Sequence, residues 1–204
     1  NRPASTLLIY DTVSWDVIYE DENLIAQIGA TRRARSSGQP FIWETERPVF
    51  YAFRPFEDPY EFDLQPALVQ IDLEAESNPI DYSLTEALWD EFDYVEILTH
   101  PYNSSYSLAP RWLEQRELLA FWFFSDEAQE QMHLGLYDPE TEQITTICAP
   151  ERLAYPAHWD ASERYVGFTT KDENSNLVSY VLDTVTYEVY QVLDGRQVIL
   201  DISQ

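Results

Sequence analysis

The chain has 204 residues, of which 37 are Asp or Glu and 12 are Lys or Arg, and its formal net charge is -25 at pH 7. A phosphate backbone or an anionic headgroup layer would repel such a chain, which argues against nucleic acid and acidic membranes as partners. Hydrophobic residues make up 45% of the sequence and aromatic residues 15%, so an intrinsically disordered protein is excluded as well.

Targeting and redox features are few. No apolar run approaches the roughly 18 residues that a membrane span needs, so we expect no span, and no signal-peptide core is present. Cys148 is the only cysteine, which excludes an intrachain disulfide. Because the sequence begins with Asn1 rather than Met, we expect a processed or trimmed product.

The first predicted element is a hairpin over residues 7–19. Its segment Ile9–Val17 (IYDTVSWDV) matches Val181–Val189 (VLDTVTYEV) position for position, with conservative differences. In both segments an Asp opens a polar turn between two apolar strands, which is typical of a β-hairpin. The chain is therefore predicted to start in the outer half of a repeating unit.

Three later segments share one frame, in which a Pro precedes a Trp, a polar turn follows, and a short apolar strand ends at Phe. A second apolar strand then ends at Asp and turns back as a hairpin. Trp112 and Trp159 lie 47 residues apart, close to the period of four-stranded blades. Each repeat Trp is predicted to lie in the core between adjacent sheets. The segments are Trp43–Phe53, Trp112–Phe121 and Trp159–Phe168, and the hairpin Asp residues are Asp72, Asp138 and Asp183.

An insertion between the first two of these repeats has helical features. Ser83 and Glu86 have the spacing of a capping box, and Leu84 and Leu88 lie on one helical face. We therefore predict a short helix over residues 84–91, followed by a strand around residues 94–98.

The run Phe121-Trp-Phe-Phe124 is aromatic at every position. Successive side chains of a strand point to opposite faces of the sheet, so Phe121 and Phe123 should point one way and Trp122 and Phe124 the other. Both faces of this strand are then predicted to be covered, as in a sheet that lies between two others.

The frame of Pro-x-x-Trp, polar turn, apolar strand ending in Phe and Tyr-Asp hairpin resembles the blade repeat of TolB-like β-propellers. The same repeat occurs in the propeller domains of prolyl-oligopeptidase-type serine peptidases. The resemblance covers roughly residues 40–192, with an echo at residues 7–19. Such repeats usually carry Ser-Pro-Asp-Gly after the Trp, whereas the turns of this chain contain no Gly.

The resemblance implies an all-β fold, a β-propeller-like array of four-stranded antiparallel blades with one short inserted helix. Within a single propeller-like domain or fragment over residues 1–204, we expect an outer half-blade at 1–19 and the start of a next blade at 193–204. Between them the blades are expected at about 20–80, 94–148 and 149–192. An antiparallel sandwich is the alternative all-β fold.

The motifs of catalysis are missing from the sequence. It contains no Gly-x-Ser-x-Gly elbow and no glycine-rich phosphate loop, and its three His residues are scattered. We therefore predict no catalytic residues, no cofactor-binding residues, no bound cofactor and no enzymatic activity.

One segment has the oxygen-ligand spacing of the first half of a calcium loop. Asp172, Asn174 and Asn176 alternate there, and Asp183 falls at the twelfth position. The sixth position is Leu177, where calcium loops have Gly, so a solvated hairpin turn is the favoured interpretation and calcium the only candidate metal.

Two loops rich in Pro and Tyr are candidate partner-binding surfaces, since exposed aromatic side chains are typical anchors of interfaces. They could equally pack over blade edges. The candidate residues are Phe56, Tyr60, Phe62, Tyr102 and Tyr106.

The sequence as a whole favours a non-enzymatic binding or scaffold module. Such a module would mediate protein–protein or glycan interaction in an extracytoplasmic assembly, whether periplasmic, at the cell surface or secreted. One alternative is an accessory propeller of a hydrolase or peptidase whose catalytic domain lies outside this chain. Another is a glycan-active enzyme that uses a pair of carboxylates.

Overall fold

Antiparallel strands make up nearly all of the regular structure among the described residues, which also include one short helix. The computed structural model describes residues 7–21, 42–44, 46–54, 67–75, 80–82, 84–98, 110–149, 153 and 157–195. The chain divides into two compact units, Asn1–Glu86 and Ala87–Gln204, each of which has its own sheets.

The first unit contains a hairpin and a four-stranded sheet. The hairpin consists of β1 (Leu7–Tyr10) and β2 (Val17–Asp21), and the sheet of β3 (Ile42–Trp43), β4 (Val49–Arg54), β5 (Ala67–Asp72) and β6 (Ile80–Tyr82). The sheet order is β3-β4-β5-β6, so each strand pairs with the next one in the chain. Its apolar core contains Phe50, Val69 and Ile71, against which Ile9 and Tyr19 of the hairpin pack.

The second unit contains two further sheets. The strands of the first are β7 (Glu96–Ile97), β8 (Arg111–Leu113), β9 (Leu118–Phe124), β10 (Met132–Asp138) and β11 (Gln143–Cys148). The strands of the second are β12 (His158–Trp159), β13 (Tyr165–Lys171), β14 (Leu177–Asp183) and β15 (Glu188–Gly195). The predicted helix is confirmed as α1 (Leu84–Trp89), and the division between the two units falls inside it.

Two short strands share one edge of β9. Ile97 of β7 pairs with Phe123, and Trp112 of β8 pairs with Leu119, both antiparallel. Because β7 and β8 pair with successive parts of the same edge of β9, together they occupy the place of one strand. This sheet is thus a four-stranded blade in which β7 and β8 together fill the position of the first strand.

Each of the three large sheets is a meander in which the strands follow chain order. Sandwiches of the immunoglobulin type instead exchange strands between two sheets. The strand order therefore supports the blade architecture predicted from the repeats, and the fold class is all-β and β-propeller-like, with one short inserted helix.

The two sheets of the second unit enclose a shared apolar core. Trp122 of β9 meets Phe168 of β13 edge to face, with ring centroids 6.0 Å apart. On the opposite face of β9, Phe123 stacks on His133 at 5.0 Å. The predicted alternation is thus confirmed, and both faces of β9 are buried.

The repeat Trp side chains are less uniform than predicted. Trp112 is buried and Trp159 packs half-buried against the shared core. Trp43 is 43% exposed, so the prediction of a core position is wrong for this residue. Its ring lies on Phe50, with centroids 4.8 Å apart, at the edge of the sheet instead of inside it.

The glycine-free repeat turns still adopt the left-handed conformation that glycine favours. Glu117 has φ of 52° and Glu163 has φ of 57°. The Glu163 carboxylate accepts a hydrogen bond from the Gln115 N–H at 2.9 Å and lies 3.4 Å from Nη2 of Arg111. Gln115 and Arg111 belong to the preceding blade, so Glu163 connects two blades in a way that a glycine could not.

This connection leads to a prediction about glycine substitutions. Glu142 has φ of 56° in an exposed turn, so Glu142→Gly is expected to raise the free energy of unfolding by about 0.5 kcal/mol. Glu163→Gly relieves the same conformation but removes the bond to Gln115, and we expect a net loss of about 1 kcal/mol. Urea denaturation measures both, and a gain from Glu163→Gly would show that the bonds between the blades do not stabilise the fold.

Candidate binding surface

The hairpin of residues 7–21, here called the Asp11 hairpin, exposes an unusual number of large apolar side chains. At its tip Val13 is 89% exposed and Trp15 is 75% exposed. Single exposed apolar residues are ordinary, but a contiguous set is typical of an interaction surface. The exposed members of the hairpin are Leu8, Tyr10, Val13, Trp15, Val17 and Ile18.

The tip conformation is imposed by Asp11. Its Oδ1 accepts hydrogen bonds from the N–H groups of Val13 and Ser14, each at 2.7 Å. The Asp11 carbonyl accepts the Trp15 N–H at 2.9 Å, and Trp15 has φ of 63°. A residue other than glycine in the left-handed region costs free energy, so the turn holds Trp15 exposed in a conformation that glycine would favour.

Strand register divides the hairpin into two faces. Ile9 and Tyr19 lie directly opposite each other, and both pack on the core of the first unit. Side chains alternate along a strand, so Leu8 and Tyr10, on either side of Ile9, point away from that core, and a register shift after Ile9 brings Val17 opposite Tyr10. One face therefore holds the hairpin in place while the other presents apolar groups.

The apolar face has an acidic surround. Residues 7–21 include Asp11, Asp16, Glu20 and Asp21 and no basic residue. Hydrogen bonds from the Ser14 and Val13 N–H groups hold the pKa of Asp11 below its usual value, so this carboxylate is ionised at neutral pH. An apolar patch inside a negative field is complementary to a partner that is both apolar and basic.

A second hairpin, the Asp183 hairpin of residues 177–195, has the same tip. Val185 and Tyr187 are about half exposed there, and Tyr187 has φ of 62°. Its polar groups, however, are paired within the blade: Glu188 accepts a hydrogen bond from the Tyr190 hydroxyl, which raises the pKa of Tyr190. The Asp11 hairpin is therefore the better candidate for a surface that binds a partner.

The partner-binding residues predicted from the sequence lie outside the described residues. This applies to both loops. In the sequence, Tyr102 and Tyr106 fall between β7 and β8. The five residues are Phe56, Tyr60, Phe62, Tyr102 and Tyr106.

The four calcium candidates are not brought together. Asp172 caps its own turn, since its Oδ1 accepts the N–H groups of Asn174 at 2.9 Å and Asn176 at 2.7 Å. Asp183 is the last residue of β14, whose first residue is Leu177, so it lies about 20 Å further along the strand. In the parts of the chain that the structure describes, no group of three or more His, Cys, Asp or Glu residues could hold a metal ion.

The structure contains a hydrogen bond between Ser125 and His133 that the sequence does not predict. Ser125 Oγ lies 2.8 Å from Nε2 of His133, because the turn between β9 and β10 brings the two residues together. The imidazole packs against Phe92 and Phe123, and burial lowers the pKa of His133. A base in a nucleophile–base pair must accept a proton, and this apolar setting disfavours that step.

No helix among the described residues is long and apolar enough to cross a membrane. The fold places the chain in the β-propeller-like class. No protein-family model matches the sequence. No curated protein matches it either.

Among solved structures, the chain is similar to a puromycin-hydrolysing peptidase of Mycobacterium tuberculosis, with 19% identity and a TM-score of 0.50. The similarity covers 78% of this chain and 21% of the peptidase. The chain is also similar to TolB from Acinetobacter baumannii, with 12% identity and a TM-score of 0.47, over 92% of this chain and 37% of TolB. The chain thus spans only about a fifth of the peptidase and just over a third of TolB, and the likeness to the peptidase concerns the fold.

Proposed function

We propose that this chain is a non-enzymatic protein-binding module in which propeller-like blades hold the Asp11 hairpin ready for a partner protein. The observation that carries the proposal is the exposure of Val13 and Trp15 on a turn that Asp11 organises. The proposal keeps the extracytoplasmic assembly that the repeat resemblance implies as its setting.

The energetics of the hairpin favour binding over a purely structural role. Burying an indole removes a large apolar area from water, which stabilises a complex, whereas an exposed Trp15 contributes little to folding. The hairpin is also held rigid by the packing of Ile9 and Tyr19 on the core, so little conformational entropy is lost when it binds.

Charge restricts the class of partner. The chain carries a net charge of -25, and the hairpin contributes four acidic residues and no basic ones. Electrostatic complementarity therefore favours a basic protein, whose association the negative field would accelerate.

The proposal is tested with the double variant Val13→Ser/Trp15→Ser. A binding protein would be identified by affinity capture from the source organism and purified, and its Kd would be measured by calorimetry. We expect at least about 30-fold weaker binding, the effect of removing a tryptophan anchor from an interface. The matched control is Val185→Ser/Tyr187→Ser, which makes the same change in the equivalent turn and should leave Kd unchanged.

Two results would contradict the proposal. One is equal loss of affinity in both double variants, which would place binding elsewhere. The other is turnover of a glycan or peptide substrate by the purified chain that is abolished when a single buried acidic residue is replaced.

A further inference from the structure

The two Asp hairpins allow an internal comparison. Their turns are alike: Asp11 and Asp183 each accept two N–H groups of their own turn through Oδ1. Trp15 and Tyr187 occupy the same left-handed position, with φ of 63° and 62°. By sequence and by geometry, β1 is therefore the counterpart of β14, and β2 is the counterpart of β15.

The counterparts differ in their neighbours. β14 lies between two strands, β15 and β13, and its pairing with β13 runs from Tyr165 opposite Asp183 to Lys171 opposite Leu177. Among the described residues, β1 is paired with β2 alone. The second edge of β1 is thus the position that β13 occupies in the complete blade.

Arg164, the residue immediately before β13, makes the most specific contacts of that position. Its Nη2 lies 2.6 Å from Oδ2 of Asp183, and its Nε lies 3.0 Å from the same oxygen. Its carbonyl accepts hydrogen bonds from the Thr184 N–H at 2.9 Å and the Thr184 hydroxyl at 2.8 Å. Arg164 therefore binds Asp183 through its guanidinium and binds Thr184, the next residue, through its backbone carbonyl.

The backbone part of this contact recurs in the first unit. The N–H of Leu73, which follows Asp72, donates to the carbonyl of Pro48 at 3.0 Å, and Pro48 immediately precedes β4. The sheets β3–β6 and β12–β15 thus both use the residue after the hairpin Asp to hold the chain that enters the second strand.

The Asp11 hairpin carries the same groups without these contacts. Thr12, the counterpart of Thr184, is exposed, whereas Thr184 is fully buried. In the part of the chain that the structure describes, no acceptor bonds the Thr12 N–H and no cation pairs with Asp11. The Asp11 hairpin thus carries a carboxylate, an N–H group and a hydroxyl at the positions that bind Arg164 in the Asp183 hairpin.

We infer that the second edge of β1, which is unpaired among the described residues, binds an extended segment of a separate, basic protein as an added antiparallel strand. The segment carries an arginine immediately before the strand, and that arginine pairs with Asp11 as Arg164 pairs with Asp183. The inference rests on the proposed function and names its partner. Charge disfavours a second copy as the occupant, because each copy carries a net charge of -25 and would repel the other.

The chain itself supplies the probe for a test. A synthetic peptide with the sequence of residues 164–171, Arg-Tyr-Val-Gly-Phe-Thr-Thr-Lys, is the strand that the equivalent hairpin already binds. We expect it to bind the full chain with Kd of about 100 μM or tighter. Asp11→Asn, which keeps the Oδ1 acceptor of the turn, should weaken binding about tenfold. Asp16→Asn removes the same charge from the same hairpin and should change Kd less than about twofold.

The arginine is tested from the side of the peptide. The Arg164→Gln peptide should bind the wild-type chain about tenfold more weakly than the original peptide does. Its affinity should not fall further for the Asp11→Asn chain, because both changes remove the same contact. Equal effects of Asp11→Asn and Asp16→Asn, or no binding of the peptide, would overturn the inference. A concentration-dependent dimer that Asp11→Asn dissociates would overturn it too, since the occupant would then be a second copy.

These outcomes are separable from failure of the proposed function. If the affinity of the purified partner falls in Val13→Ser/Trp15→Ser while the Kd of the peptide is unchanged by Asp11→Asn, the hairpin is a binding surface but not a site of strand addition. If the peptide binds as expected while the Kd of the partner is unchanged by Val13→Ser/Trp15→Ser, the strand edge binds and the apolar tip does not.

Discussion

Replacing Gly135 with alanine is expected to lower the free energy of unfolding by about 2 to 3 kcal/mol. A Cβ at position 135 would lie 2.4 Å from Cζ of Phe121, closer than two carbon atoms can approach. Phe121 pairs directly opposite Gly135 and is completely buried, so its ring has no solvent into which it could move. Equilibrium denaturation with urea measures the change.

The cause can be tested with Phe121→Leu. This substitution alone destabilises the blade through lost burial, but it removes the ring atoms that oppose position 135. The double variant should therefore be more stable than the sum of the two single effects by about 1 kcal/mol or more. Strict additivity would show that the Phe121 ring is not what requires glycine at this position.

Replacing Asp183 with alanine is expected to cost about 2 to 3 kcal/mol of stability. The substitution leaves Arg164 without its carboxylate and leaves the N–H groups of Val185 and Thr186 without their acceptor. Asp11→Ala is the matched control, because Asp11 accepts the equivalent N–H groups but has no arginine among the described residues. We expect the control to cost about 1 kcal/mol or less, since its turn is exposed.

The same pair of variants predicts a dependence on pH. Hydrogen bonding to Arg164 is the main cause that lowers the pKa of Asp183 to about 2 from the usual 3.8. A lowered pKa in the folded state means that the stabilisation is fully present above the unfolded value and is lost as the pH falls toward the folded value. The stability difference between the wild type and Asp183→Ala should thus be constant near neutral pH and shrink as the pH falls below about 4. A difference that does not change over this window would contradict the role given to the ionised pair.

Local patterns in the sequence were enough for the fold class. Alternation in the run from Phe121 to Phe124 predicted two buried faces, because the pleat of a strand sets side-chain direction irrespective of the rest of the fold. The capping spacing at Ser83 and Glu86 predicted the one helix, because helix initiation depends on residues within a single turn. The match between the segments around Asp11 and Asp183 likewise anticipated two turns of the same geometry.

The site was harder to anticipate. The sequence favours Tyr-rich loops as the binding surface, and these lie outside the described residues, whereas its pattern presents Trp15 only as part of a repeat. Whether an apolar residue at a hairpin tip is covered depends on which elements lie over it, and the sequence of the hairpin contains no information on that. Tyr187 occupies the equivalent position and is less exposed than Trp15.

By itself, the sequence determined the repeat, the all-β class, the hairpin turns and the strongly acidic charge, because these follow from short-range patterns and composition. The tertiary structure decided which groups meet across blades. It placed Glu163 against Gln115 and separated Asp183 from Asp172. Among the described residues, it left Asp11 and Thr12 without the strand that Asp183 and Thr184 hold. Contacts between residues far apart in the chain depend on how sheets pack, and a residue pattern read along one strand does not specify that packing.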